Sequence, residues 1–290
     1  MDSPALSLGL SGEMPSLELL AKFSGIGLVR SEYLFRYLLL YPTEQRAQET
    51  VEQYLTTLCE RTTNPVVYRT MEVTSAEANV LQGVERLDFE SGDDLLGLRG
   101  VRRHIHYPSS LDAELKSVAV VSKRFSQLEI VAPFVTCAEE YVWFRKRVDS
   151  VVGGSISVGM MIETPAMAID IEDALDAGCR NFIIGANDLT SLVAASRRSA
   201  ALRKGEVPGL RRLLSHVVEK IHAADGRVDL AGYVTRNLLA FGANIGIDRV
   251  VVHYSDLPQL CNIPIAHLPD IGHLQMVKSH TRRAISELNK

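Results

Sequence analysis

A (β/α)₈ barrel is the fold this sequence predicts, and three observations predict it. Eight short β-type runs alternate with longer segments of helical period, and 290 residues at 46% hydrophobic content suffice for one large α/β core. The glycine-rich phosphate loop that an open doubly wound sheet would carry is absent. In order, the runs are 5–10, 25–29, 65–71, 128–134, 157–162, 181–186, 227–231 and 248–253. Helical spacing of apolar residues is clear over 44–59, 138–151, 166–177, 210–224 and 234–241. A polar excursion containing Asp93 and Asp94 follows the third run. No repeat, low-complexity tract or linker divides the chain, so residues 1–290 are expected to form a single domain.

Charge and cysteine usage exclude several function classes. A net charge of −4 and a pI near 6.1 argue against nucleic acid or an anionic membrane as the main partner. Cys59, Cys137, Cys179 and Cys261 are far apart, without zinc-type spacing, and read as reduced thiols. With no basic leader and no apolar run near the ~20 residues of a membrane span, the expected location is the cytoplasm.

The fifth and sixth runs carry the strongest chemical signal. The stretch from Val158 to Pro165 and the stretch from Phe182 to Leu189 are apolar runs that end abruptly in Glu163 and Asp188. Two carboxylates from neighbouring strand ends are a typical protein contribution to Mg²⁺, a hard cation that leaves other positions to water and an oxyanionic substrate. The competing reading is that both acids merely cap the helices that follow.

Chemistry in a barrel sits at the C-terminal strand ends. That rule gathers Arg30, Arg69, Pro133, Glu163, Asn187, Asp188, Asp229, His253 and Ser255 at one mouth, with Arg99, Arg102, Arg197 and Arg198 able to fold over it. Several guanidinium groups beside a carboxylate pair suit a small substrate bearing phosphate and carboxylate, which arginine binds bidentately. His253 at the eighth run is either a proton donor or a hydrogen-bonded structural residue, and Tyr233 is a further candidate.

These residues resemble a known family, the C-terminal barrel of phosphoenolpyruvate-utilising enzymes, which includes phosphoenolpyruvate synthase, pyruvate phosphate dikinase and enzyme I of the sugar phosphotransferase system. The stretch from Gly25 to Phe35 is similar to the family's first arginine motif. Tyr68-Arg69-Thr70-Met71-Glu72 is similar to its second, and the stretch from Leu96 to Arg102 to its third. The segments around Glu163 and Asp188 resemble its metal-binding motifs. The resemblance implies that Arg30, Arg69 and Arg99 hold phosphate and that Glu163 and Asp188 bind Mg²⁺. It also implies that Asn187 and Arg198 hold the substrate's phosphate and carboxylate ends, and that the barrel pairs as a homodimer. The apolar stretch Tyr37-Leu38-Leu39-Leu40-Tyr41 is a candidate for that interface or for the core.

Departures from the family pattern shape the functional expectation. The family places Cys-Gly-Glu at the end of the seventh strand, where the cysteine protonates enolpyruvate. Matching Leu230-Ala231-Gly232 to the residues after that motif puts Arg227 in the cysteine position and Asp229 in the glutamate position, and makes both candidate catalytic residues. Arginine, with a pKa above ~12, is a poor acid. Ser196-Arg197-Arg198 replaces a valine-aspartate-arginine ending, Ser191 replaces a glutamine, and the aspartate-lysine pair expected past Arg69 is absent. The chain starts at its first strand, so it is not expected to carry the swivelling phosphohistidine domain or an ATP-binding domain.

Three functions follow. The first is an Mg²⁺-dependent enzyme that binds phosphoenolpyruvate or pyruvate and works through enolpyruvate, transferring a phosphoryl group to or from a phosphohistidine or other acceptor on a separate protein. A lyase or aldolase that uses a metal-bound pyruvate enolate is the second, by analogy with related barrels. The third is a catalytically silent barrel that senses a metabolite or supports a partner.

Overall fold

The computed structural model describes residues 4–84, 95–197, 207–233 and 235–288. Eight parallel strands close on themselves in chain order: β1 (Ala5–Leu10), β2 (Ile26–Arg30), β3 (Val66–Arg69), β4 (Leu128–Ala132), β5 (Ser157–Ile162), β6 (Asn181–Gly185), β7 (Arg227–Ala231) and β8 (Arg249–His253). Every strand coincides with an expected run to within a few residues at either end. The expected helix at 166–177 divides into Pro165–Ile169 and Ile171–Asp176, because Asp170 leaves helical geometry at φ −90° and ψ 31°.

Side-chain alternation sorts the strands into two faces. Leu8, Leu10, Ile130, Met160, Ile162, Ile184 and Leu230 pack outward against the helices. Leu28, Val67, Val131, Met161, Ile183, Ala231 and Val251 point inward and form one apolar plug across the barrel's waist. Above this plug lies the mouth, at the C-terminal strand ends. Below it, a second and purely polar layer fills the barrel floor.

That lower layer corrects two sequence expectations. Arg227 is the first residue of β7 and Asp229 the third, so on a rise of about 3.3 Å per residue Arg227 lies roughly 13 Å below the strand's C-terminal end. Ala231, two positions beyond Asp229 on the same face, belongs to the apolar plug and separates both from the mouth. Asp229 is fully buried and takes hydrogen bonds from Arg249 Nε (3.1 Å to each oxygen) and Nη2 (2.6 Å). Arg227 reaches across the barrel to Glu129 on β4, 2.6 Å from Nη2. Arg227 and Asp229 thus lie on the barrel floor, paired with Glu129 and Arg249, and the structure does not bring them to the mouth.

The stretch after β3 is less loop-like than its polarity implies. It contains the helices Gly100–His106 and Pro108–Ser122, while Asp93 and Asp94 lie outside the described residues. Nine residues of the longer helix are buried, among them Ser110, Glu114 and Ser117, and that mixture of buried polar and apolar positions blurs the amphipathic pattern. The Tyr37–Tyr41 stretch divides, with Tyr41 in the core and Tyr37 exposed. Among the described residues, no helix is long and apolar enough to cross a membrane.

Candidate functional site

Strand ends β2 to β6 bring four acids and two arginines into one buried network. Arg69, the last residue of β3, holds Glu32 at 2.6 Å through Nη2 and Glu72 at 2.6 Å through Nη1, with Glu163 at 3.6 Å. Arg99 pairs with Glu72 and lies 3.6 Å from Asp188. All six side chains are at most 7% exposed. Arg99 is also stacked over the Phe134 ring at 4.2 Å, which fixes the plane of its guanidinium.

Glu163 and Asp188 are not helix caps. Thr164 caps the helix after β5, accepting from Met167 N at 3.3 Å, and Pro165 occupies the first helical turn. Glu163 is thereby left at the strand end, where its Oε2 accepts from Phe134 N at 2.9 Å. Asp188 lies within the first turn of the helix Ala186–Val193, whose cap position is Gly185. A side chain on Gly185 would place its Cβ 2.4 Å from Glu163 Cγ, so only glycine lets the two strand ends close to this extent.

Electrostatics favour a divalent cation here. Among the described residues, four carboxylates gather around two guanidinium groups in a buried space, and buried charge is costly unless compensated. Burial, then repulsion from Glu72, push Glu163 up to about 8, against attraction from Arg69. Among the described residues, no three His, Cys, Asp or Glu side chains form a ready-made metal cage. Mg²⁺ commonly takes one or two carboxylates and fills its octahedron with water and substrate oxygens. The residues present fit such an ion, and Glu163 and Asp188 are the ones that would hold it.

The raised Glu163 sets a pH dependence whose sign can be worked out. Its folded pKa lies above the unfolded value, so the folded state binds the extra proton and stability is lost as pH rises from about 4.5 towards about 8. A divalent cation held by Glu163 and Asp188 would displace that proton. Mg²⁺ affinity is expected to rise over the same window and binding to release protons, measurable by calorimetry in buffers of different ionisation enthalpy.

Other predicted residues take distinct places. Arg30 ends β2, in register with Arg69, and donates from Nε to Ser11 Oγ at 2.9 Å while stacking over Tyr33 at 4.7 Å. Among the described residues, Arg30 has no carboxylate within ion-pair distance. Asn187 Oδ1 accepts from Tyr233 N at 2.9 Å, which ties the ends of β6 and β7 together. Arg198 lies outside the described residues. Because β7 ends at Ala231, its mouth sequence reads Ala231-Gly232-Tyr233, and Arg227 lies at the opposite end of the strand.

Sequence reasoning missed Glu32 and Glu72, although both lie inside the quoted arginine motifs. The signal available was their spacing from the arginines, because Glu72 three residues past Arg69 reaches back to it across the strand end. Glu114 was also missed. It accepts from Tyr68 O–H at 2.6 Å and from Met71 N at 3.0 and 3.1 Å, so it anchors the turn that carries Glu72, and burial pushes it up to about 7.

Comparisons with known proteins agree with this geometry. Probable phosphoenolpyruvate synthase of Methanocaldococcus jannaschii is 31% identical over 212 residues, covering 67% of this chain and 18% of that protein. Phosphoenolpyruvate synthase of Pyrococcus furiosus is 30% identical, covering 67% of this chain and 26% of that protein. A phosphoenolpyruvate-protein phosphotransferase of Bacillus sp. (strain S) is 26% identical over 290 residues, covering 90% of this chain and 48% of that protein. The chain thus spans less than half the length of these relatives. Among solved structures, an HpcH/Hpal aldolase/citrate lyase family protein from Burkholderia cenocepacia J2315 superposes with a TM-score of 0.51 at 11% identity. That match covers 99% of this chain and 95% of the other and shows the shared fold alone. Residues 15–263 match the family model described as PEP-utilising enzyme, PEP-binding domain. With the closed barrel and the arginine-carboxylate mouth, that match shows that the chain belongs to the PEP-binding domain family of the PEP-utilising enzymes.

Proposed function

We propose that this barrel binds phosphoenolpyruvate or pyruvate together with Mg²⁺ and acts through enolpyruvate, most simply in phosphoryl transfer to or from an acceptor on a separate protein. The observation that carries the reading is the buried gathering of Glu32, Glu72, Glu163 and Asp188 around Arg69 and Arg99 at the strand ends, beside an Arg30 that has no acid partner among the described residues. When bound, Mg²⁺ supplies Lewis acidity that stabilises developing enolate charge. Arg69 and Arg99 hold the carboxylates rigid and dry, so that little reorganisation is needed as charge develops. Arg30 offers its outer guanidinium nitrogens to a phosphate or carboxylate. Asn187 presents its amide N–H groups from the β6 side.

One observation favours a second reading. The end of β7 offers Ala231 and Gly232, with no ionisable side chain before Tyr233, which is 40% exposed. An enolate left unprotonated at carbon 3 is free to form or break a carbon–carbon bond, which makes a 2-oxo acid lyase the alternative. The test is calorimetric titration with phosphoenolpyruvate with and without Mg²⁺. Binding that needs the metal and is lost in Asp188→Asn supports the proposal, and metal-independent binding untouched by that substitution contradicts it. Turnover of pyruvate labelled with ¹³C at carbon 3 then separates the chemistries, since only the lyase reaction, run towards condensation, gives that carbon a new carbon–carbon bond.

A further inference from the structure

The ends of β1 and β8 carry a polar cluster that the metal side of the mouth does not use. Ser11 follows β1 and is fully buried. Its Oγ lies 2.9 Å from Arg30 Nε and 3.0 Å from His253 Nε2. On the other side of the imidazole, Nδ1 lies 3.2 Å from Ser255 N and 2.8 Å from Ser255 Oγ.

The tautomer of His253 follows from the backbone. Ser255 N–H is fixed by the chain and donates to Nδ1, whereas the Ser255 hydroxyl can rotate, and it also lies 3.4 Å from Asp256 Oδ1. Nδ1 is therefore an acceptor and the ring's proton sits on Nε2. Burial, then the positive charges of Arg30 and Lys278, hold His253 well below its ordinary range, so the ring stays neutral and keeps this single proton.

Ser11 Oγ consequently accepts two hydrogen bonds, from Arg30 Nε–H and His253 Nε2–H, which fills both of its acceptor positions. Its own proton has no acceptor among the described residues. A buried hydroxyl proton without a partner is costly, and a ligand oxygen is one way to satisfy it. It sits beside the end of Arg30 that carries no acid.

We infer that Ser11 donates its hydroxyl proton to an oxyanion of the ligand held by Arg30, and that His253 is a positioning residue that aims this hydroxyl by occupying its second acceptor site. The inference deepens the proposed substrate site on its metal-free side, and rests on the reading of the mouth as an oxyanion site. It also gives His253 a role other than proton donation, because a neutral imidazole that accepts at Nδ1 and donates at Nε2 is a poor acid.

The test uses inorganic phosphate without Mg²⁺, so its result does not depend on Glu163 or Asp188. Calorimetric titration is expected to show phosphate binding to the wild-type chain and roughly tenfold or weaker binding to Ser11→Ala, the scale of one hydrogen bond to a charged group. His253→Gln keeps an N–H donor near the Nε2 position and is expected to retain most of the affinity, whereas His253→Phe is expected to behave like Ser11→Ala. Thermal unfolding checks that each variant is folded. Nitrogen-15 chemical shifts of the unliganded wild-type imidazole provide a readout that needs no variant, with protonated Nε2 and bare Nδ1 expected. Equal phosphate affinity in wild type and Ser11→Ala, no phosphate binding by wild type, or a proton on Nδ1 would each overturn the inference. Magnesium-dependent phosphoenolpyruvate binding can survive any of these results, so the two readings fail separately.

Discussion

Arg249→Ala is expected to destabilise the protein by about 3–5 kcal/mol while leaving ligand binding by the folded fraction unchanged. The cause is Asp229, which is fully buried below the apolar plug and takes three of its hydrogen bonds from Arg249. Removing the guanidinium strands a carboxylate in low dielectric, with Arg227 Nε 3.9 Å away and already committed through its Nη2 to Glu129. Chemical denaturation of wild type, Arg249→Ala and the double variant Arg249→Met with Asp229→Leu checks this. The apolar pair is expected to recover most of the loss, as replacement of a buried ion pair by well-packed hydrophobic residues often does. Stability of Arg249→Ala close to wild type would contradict the assignment of Arg227, Asp229 and Arg249 to a structural floor.

The second large effect concerns the mouth. Arg69→Ala removes the cation that bridges Glu32, Glu72 and Glu163 and leaves their charges facing one another in a buried space. The expected loss is again about 3–5 kcal/mol, but with a different response to metal. Mg²⁺ neutralises part of the stranded charge, so the stabilisation it gives is expected to be larger for Arg69→Ala than for wild type. A ligand at one hundred times its Kd adds about 2.7 kcal/mol, which is readily resolved. Unfolding with and without Mg²⁺ measures the difference for both proteins. An Arg249→Ala variant that gains no more from Mg²⁺ than wild type serves as the control, because its lesion lies at the other end of the barrel.

Those two arginines also show what could be read from the sequence. Strand positions were legible because parallel strands buried on both faces appear as continuous apolar runs. Which residues point inward was legible too, because alternation puts Arg227, Asp229 and Ala231 on one face of β7. Height along the barrel axis was not. Arg227 and Asp229 looked like mouth residues because a short motif match carries no information about where the strand ends, and only the register with β6 and β8 places them on the floor.

At the mouth, Glu163 and Asp188 were legible from abrupt apolar-to-acid transitions, and Arg30 and Arg69 from arginines that end apolar strands. The acids that hold Arg69 were harder to see, since only their short spacing from the arginines marks Glu32, which opens the helix Glu32–Leu38, and Glu72, which lies just after β3. Ser11 was invisible for a different reason. A serine after a strand is unremarkable until the fold brings it to His253, which lies 242 residues away in the chain.

The central claim is that Glu163 and Asp188 complete an enolate-binding site when a divalent cation is present. Oxalate, a planar dianion with the shape of enolpyruvate, tests it most directly by calorimetric titration of wild type with and without Mg²⁺, alongside Glu163→Ala. Binding that requires Mg²⁺ and vanishes in folded Glu163→Ala is the predicted result. Absence of binding to folded wild-type protein, or binding indifferent to both the metal and the substitution, would contradict it.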